Sequence, residues 1–252
     1  MSYPIESSKR RAAEVSSSGA ATGARGQGAR QALLQAGRAV FSAKNLEGAT
    51  VRDIAEAAGT NVAAISYHFG SKEALYDETV RQAVQEVQER MLPMRERLAE
   101  IQKQGAPDPE MAIQMVKLVL RSMFSCIVSA EDTMTLSRLV IREQMQPTAA
   151  FEHVFAGIGP MHEALSYLVG IAIGEPAEAK ETIIRTHSLM GLGLVFRAGR
   201  GVILRRLGWT AEDKEHLEAV ADLVAEEAEL ILRGLRAKKE SERTAPGAIN
   251  TD

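Results

Sequence analysis

A chain of 252 residues, 45% of them hydrophobic, is long enough for one large or two small domains with a sizeable core. Its formal charge of −3 is unevenly spread: residues 1–75 hold nine Lys or Arg against six acids, so the basic end is the end suited to a polyanion. A single cysteine, Cys126, excludes an internal disulfide and fits a reducing cytoplasm, while the start lacks an apolar leader core and no run of about 18 apolar residues reads as a membrane span.

Abundant Ala, Leu, Glu and Arg, only eight prolines and no sustained two-residue alternation predict an all-α protein. Residues 1–27, rich in Ser, Gly and Ala with a Lys9, Arg10, Arg11 cluster, predict a disordered basic arm, either a solvated tail or a contact to DNA phosphates. A helix then begins at Ala29, with Leu33, Gly37, Val40 and Phe41 on one side, and closes over Asn45 to Gly48. Thr50 stands at a helix N-cap with Asp53 at the capping-box position three residues on. Val51, Ile54, Ala55 and Ala58 share a face, and Gly59 supplies the left-handed residue that ends that helix. Asn61 caps a second short helix in which Ile65 and Phe69 face inward. Val62, Ala63, Ser66, Tyr67 and His68 are left outside. A helix with small groups near its N-terminus and polar or aromatic groups beyond them suits insertion into a DNA major groove, with Val62, Ala63 and Ala64 placed to meet thymine methyls.

Gly59, Tyr67, His68, Phe69, Lys72 and Leu75 carry a resemblance to the TetR/AcrR transcriptional regulators of bacteria, covering roughly 29–75. The chain departs from the usual pattern with Thr60 for Val, Asn61 for Ser and Ser66 for Tyr. The resemblance implies a three-helix DNA-binding head at 28–75. It places Arg52 where a guanine contact falls, and Thr50, Tyr67 and Lys72 where phosphate contacts fall, with Asn61, Ser66 and His68 completing the DNA-facing set.

Residues 76–236 are expected to form a ligand-binding and dimerisation domain, and 237–252 a flexible tail. A long helix runs from Ser71 to about Gln104, with Pro93 predicting a kink or break, and Gly105 to Pro109 form a loop. Helices follow over about 110–129, 132–145, 148–172, 177–207 and 211–236, the last opened by a capping box at Thr210 and Asp213. Gly191, Gly193 and Gly199 suggest that two helices approach closely at a subunit interface. Leu217, Val220, Ala221, Val224, Ala228, Ile231 and Leu235 form a stripe that fits a helix partner in a homodimer. Methionine and phenylalanine enrichment between 111 and 196 predicts a mostly apolar pocket near Phe124, Glu143, Phe155, Met161 and His187.

No H-E-x-x-H, E-x-x-H or G-x-S-x-G pattern is present, so neither a metal nor a cofactor nor an enzyme is expected. The stretches 151–170 and 186–209 also resemble the effector domain of a TetR-like subgroup linked to drug and antibiotic susceptibility. The expected function is a homodimeric repressor released from operator DNA by a small apolar effector. The alternative is a helical carrier or sensor whose head does not bind DNA specifically.

Overall fold

The computed structural model describes the backbone over residues 6–103, 105–128, 131–210 and 214–244, and side chains over 26–103, 105–125, 135–196, 198–210, 216 and 218–244. The described residues are helical and contain no strand. The chain divides into two units, Met1–Gln82 and Ala83–Asp252, with the boundary inside one long helix.

The first unit holds α1 (Glu6–Gly48), α2 (Val51–Ala57), α3 (Val62–Phe69) and the opening turns of α4 (Lys72–Gln102). Helices of seven and eight residues do not persist alone, because the nucleation cost is spread over too few bonds. Here Ile54 of α2 and Ile65 of α3 are buried together with Leu33, Phe41, Leu75 and Tyr76 from the longer helices. Phe41 and Tyr76 meet edge to face at 5.0 Å. A Cβ on Gly37 would stand 3.3 Å from Thr79 Oγ1, so glycine is what lets α1 come this close to α4.

The second unit is organised around α5 (Pro109–Val128), which packs on α6 (Glu131–Met145), α7 (Phe151–Ile173), α8 (Lys180–Ala198) and α10 (Lys214–Thr244). Short α9 (Arg200–Leu207) follows α8. Pro109 opens α5 and Asp108 accepts the Met111 N–H at 2.8 Å, a start that matches the rigid-φ first position and the capping preference. Ile113, Val116, Leu120, Leu165, Val169, Leu189, Ala228 and Leu232 form the main core. A smaller cluster joins Phe124 to Val220, Ala221 and Val224. Helix α7 is apolar enough over 18 residues to cross a membrane by composition, contrary to the sequence reading, but its stretch from Leu165 to Ile173 supplies much of this core.

Several expectations are corrected. The arm expected at 1–27 is helical from Glu6 onward: Ala, Arg, Glu and Gln between 6 and 28 extend a helix already nucleated by the packed turns after Ala29. The helix expected over 177–207 is divided at Gly199 (φ −91°, ψ 11°) into α8 and α9. Helix α4 continues through Pro93. Helix α10 reaches Thr244 rather than ending at 236, its polar end carrying the i,i+4 pairs Arg236–Glu240 and Lys238–Glu242. The Thr210 and Asp213 capping box and the side chains of Leu217 and Cys126 lie outside the described residues.

Of the two features read as a subunit seam, Gly193 and the buried part of the α10 stripe serve the chain's own core. A Cβ on Gly193 would lie 3.2 Å from Phe124 Cδ2, so this glycine admits the Phe124 ring of α5 against α8, while Gly191 faces open space. Val220, Ala221, Val224 and Ala228 are buried within the protomer. A charge at Val224 would therefore destabilise the second unit itself, and among the described side chains of that stripe only Ile231 stands exposed.

Candidate nucleic-acid interface

The helix-turn-helix is fixed at each end by a backbone device readable in the sequence. Thr50 Oγ1 accepts the Asp53 N–H at 3.1 Å, and Asp53 Oδ2 accepts the Thr50 N–H at 3.0 Å, a complete capping box. Helix α2 ends with Gly59 at φ 63°, where Thr60 N–H bonds Ala55 O and Gly59 N–H bonds Glu56 O. This crossed pair is the Schellman arrangement, which needs a left-handed residue and so favours glycine. Asn61 Oδ1 then accepts the Ala64 N–H at 3.0 Å and caps α3, leaving the Asn61 amide hydrogens free to donate elsewhere.

With its ends set, α3 buries Ile65 and turns the other side outward. Tyr67 is 84% exposed and Val62 42% exposed, with Ala63 and Ser66 also open. Ala64 and His68 are half-buried, and the His68 ring lies edge-on to Tyr67 at 4.8 Å. Arg52 and Thr50 are exposed on and before α2. The structure thus brings Thr50, Arg52, Asn61, Val62, Ala63, Ser66 and Tyr67 to the surface of one short motif.

Lys72 differs. It is half-buried, and its Nζ donates to Leu46 O at 2.7 Å and Ala49 O at 3.0 Å. Two positioning residues escaped sequence reasoning. Lys44 pairs with Asp53 at 2.8 Å, and Arg30 reaches Glu78 at 3.0 Å while its guanidinium lies 5.1 Å from the centre of the Phe69 ring. Lys44 and Asp53 are separated by the break at Asn45 (φ 62°, ψ 179°), so no helical spacing pairs them. The hydrogen bond from Lys44, then that from the Thr50 backbone, hold the Asp53 carboxyl down at about 2 from an ordinary 3.8. Arg81, and after it Arg30, likewise hold Glu78 at about 2.

The five residues proposed for a ligand do not surround one cavity. Phe124 borders a void of about 10 Å³ with Leu120, Met123, Leu189, Met190, Gly193 and Val224. Glu143 is fully buried, and its carboxylate accepts the Thr148 N–H at 3.0 Å and the Thr148 hydroxyl, closing the turn before α7. Phe155 is 61% exposed, near Phe151. Met161 packs against the main core. His187 is exposed, its Nδ1 bonded to Ile183 O, and its ring lies 5.3 Å from that of His162. Burial, then the neighbouring His187, lowers the His162 pKa. The larger hollow, about 590 Å³, is an open trough between α5 and α10 lined by the ion pairs Lys117–Glu229 and Arg121–Asp222.

Residues 33–79 match the family described as bacterial regulatory proteins of the tetR family, and residues 112–235 match the C-terminal domain of the HTH-type transcriptional dual regulator CecR. The chain is 36% identical over 212 residues to the dual regulator CecR of Shigella flexneri, covering 84% of this chain and 94% of that protein. It is also 36% identical over 90 residues to the transcriptional repressor AcnR of Corynebacterium efficiens, covering 36% of this chain and 47% of that protein. Among solved structures, a transcriptional regulator from Rhodococcus sp. RHA1 superposes with a TM-score of 0.52 at 20% identity, over 81% of this chain and 96% of the other. The chain belongs to the TetR family of bacterial transcriptional regulators, DNA-binding proteins with an N-terminal helix-turn-helix head and a helical C-terminal domain.

A pH dependence follows from the Asp53 pairing. Because the folded-state pKa is depressed, the cap and ion pair stabilise the head fully above the ordinary value of 3.8, and this contribution is lost as pH falls through about 2. Carboxyl-carbon NMR titration should place the Asp53 midpoint near 2 in the wild type and move it toward 3.8 in Lys44→Met. An unshifted midpoint in that variant would show that Lys44 does not hold the carboxylate.

Proposed function

We propose that this regulator is a homodimeric repressor, that its two heads read paired half-sites of operator DNA, and that a small, mostly apolar effector releases it. The observation that carries the reading is the outward face of α3, uncharged and open along Val62, Ala63, Ser66 and Tyr67 on a helix whose opposite side is locked by Ile65. Arg52 is assigned the base contact, bidentate to guanine. Val62, Ala63 and Ala64 meet thymine methyls. Thr50 and Tyr67 bind phosphates, with Asn61, Ser66 and His68 adding polar contacts that fix register. The similarity to a relative described as a dual regulator supports a second reading, in which the same DNA contact represses some promoters and activates others.

The dimer is proposed to form on the faces of α8 and α10 that the protomer leaves open. Ile184 (65% exposed), Leu194 and Val195 stand on α8, and Leu223, Leu230 (63% exposed) and Ile231 on α10. A second copy is the fitting occupant because paired half-sites call for two-fold symmetry. The effector is proposed to enter beside Phe124. Met123 and Met190 flank the small void there, and methionine side chains change rotamer readily enough to admit apolar bulk. Glu143, Phe155, Met161 and His187 do not line that void, so their expected part would require rearrangement of α6, α7 and α8.

Gel shifts on duplexes selected by the protein from a random pool, against scrambled duplexes, test the DNA reading. Arg52→Ala should relax the preference at one base pair, at a cost of about 1–3 kcal/mol, and Tyr67→Ala should weaken all duplexes alike. A wild type without preference at physiological salt defeats the reading. For the dimer, sedimentation of Leu230→Glu should give a folded monomer where the wild type gives a dimer. A variant that remains dimeric would move the interface elsewhere. For the effector, a thermal-shift screen of hydrophobic drugs and metabolites, repeated in the gel shift, should yield compounds that both stabilise the protein and weaken operator binding. Stabilising compounds that leave DNA affinity unchanged would remove the Phe124 region from the switch.

A further inference from the structure

Lys72 stands at the first position of α4, where a cation is unfavourable against the partial positive charge of a helix N-terminus. Its contacts point to a reason for the placement. The helical course of α1 is interrupted at Asn45, and the backbone from there to α2 is held by local bonds: Gly48 N–H to Asn45 Oδ1 at 2.7 Å and Ala49 N–H to Asn45 O at 3.2 Å. A helix end leaves carbonyls without partners. Lys72 Nζ donates to two of them, Leu46 O and Ala49 O, across 26 and 23 residues of sequence. Ala49 is buried and immediately precedes Thr50, the cap from which α2 starts. On the far side of that cap, Lys44 holds Asp53. The start of α2 is therefore gripped from two directions, by α1 through Lys44 and by α4 through Lys72.

We propose that Lys72 is a positioning residue for DNA recognition: its ammonium ties the first turn of α4 to the 46–49 segment, so that α4 sets where α2, and with it Arg52 and α3, stand against the DNA. This rests on the DNA-reading function proposed above. It replaces the phosphate contact that the family resemblance implied at this position. Two of the three ammonium hydrogens are already committed to carbonyls inside the head, and the side chain is half-buried.

Three roles for Lys72 separate in one set of measurements on the full chain. Wild type, Lys72→Met and Lys72→Arg are titrated onto a duplex the wild type selects from a random pool and onto its scrambled counterpart. Each is measured over a range of salt, at a temperature where far-UV circular dichroism shows all three folded. Amide exchange is followed over residues 46–52. A positioning residue predicts that Lys72→Met loses about tenfold or more on the selected duplex, in keeping with the loss of two charge-assisted bonds, and changes little on the scrambled one. The slope of log affinity against log salt should stay unchanged, with faster exchange confined to the 46–52 amides.

An equal loss on both duplexes with a slope reduced by about 0.9 would identify a phosphate contact and overturn the proposal. Unchanged binding to both duplexes, with only a lower unfolding temperature, would mark a purely structural lysine and overturn it as well. If Lys72→Arg restores operator affinity while the 46–52 amides stay deprotected, charge rather than placement is what matters, and the proposal fails. A wild type that selects no sequence from the pool sinks the DNA reading first, and this inference with it. A wild type that selects, joined to a Lys72→Met variant showing any of the overturning patterns, sinks this inference alone.

Discussion

The head depends on one constraint: α2 and α3 are too short to hold their own conformation, so their orientation is set by what their inner faces touch. Ile54 and Ile65 are buried, as are Leu33, Phe41, Leu75 and Tyr76 of the flanking α1 and α4, and both short helices pack on α1. Burying a branched aliphatic side chain is worth about 1.5–3 kcal/mol, comparable with all the capping bonds of such a helix together. The caps decide where the helices start and stop; the shared core decides where they point. Because the orienting surface comes from outside the helix-turn-helix, any displacement of α1 or α4 has to be felt at Arg52 and Tyr67.

The second unit solves a different problem with similar means. Its central α5 packs on four other helices, and close approach is made possible by glycine: Gly193 of α8 admits the Phe124 ring of α5, and Gly157 of α7 faces Val84 of α4 so closely that a Cβ there would overlap it. Outside that core, charge pairs bind α5 to α10 through Lys117–Glu229, Arg121–Asp222 and Arg233–Glu110. These pairs are partly exposed and individually weak, so they fix register between two long helices more than they stabilise them. The apolar residues left over on α8 and α10 are then conspicuous, since Ile184, Val195, Leu223 and Leu230 stand exposed outside that core.

The parts legible in the sequence were those governed by local rules. Thr50 with Asp53, Gly59 and Asn61 each act within a few residues, and each does in the structure what its spacing predicts. The all-helical class and most helix limits followed from periodicity for the same reason. What failed was non-local. An apolar stripe does not say whether it packs on a neighbouring helix or on another copy, and Val224 proved to face Phe124. Glu143 looked like a polar group awaiting a ligand, but Thr148 five residues on donates its N–H and its hydroxyl through a turn that helical periodicity does not anticipate. Lys44, Arg30 and Lys72 act across breaks or long separations, where spacing carries no signal.

The chemistry of α3 ties these points together. Its outward face offers apolar contact, hydroxyls and two aromatic rings but no Lys, Arg, Asp or Glu, and the only arginine in the motif is Arg52 on α2. Base edges are discriminated chiefly by hydrogen bonds whose geometry must be met within a few tenths of an ångström, whereas methyl contacts tolerate more. On the proposed reading, with one strong base reader on one helix and apolar contacts on the next, the head is selective only if the two helices keep a fixed relation to each other. That relation is supplied by the Schellman turn at Gly59 between them and by the ties to α1 and α4 around them. On that reading, selectivity is thus placed as much in the residues that hold the helix-turn-helix as in those that would touch the bases.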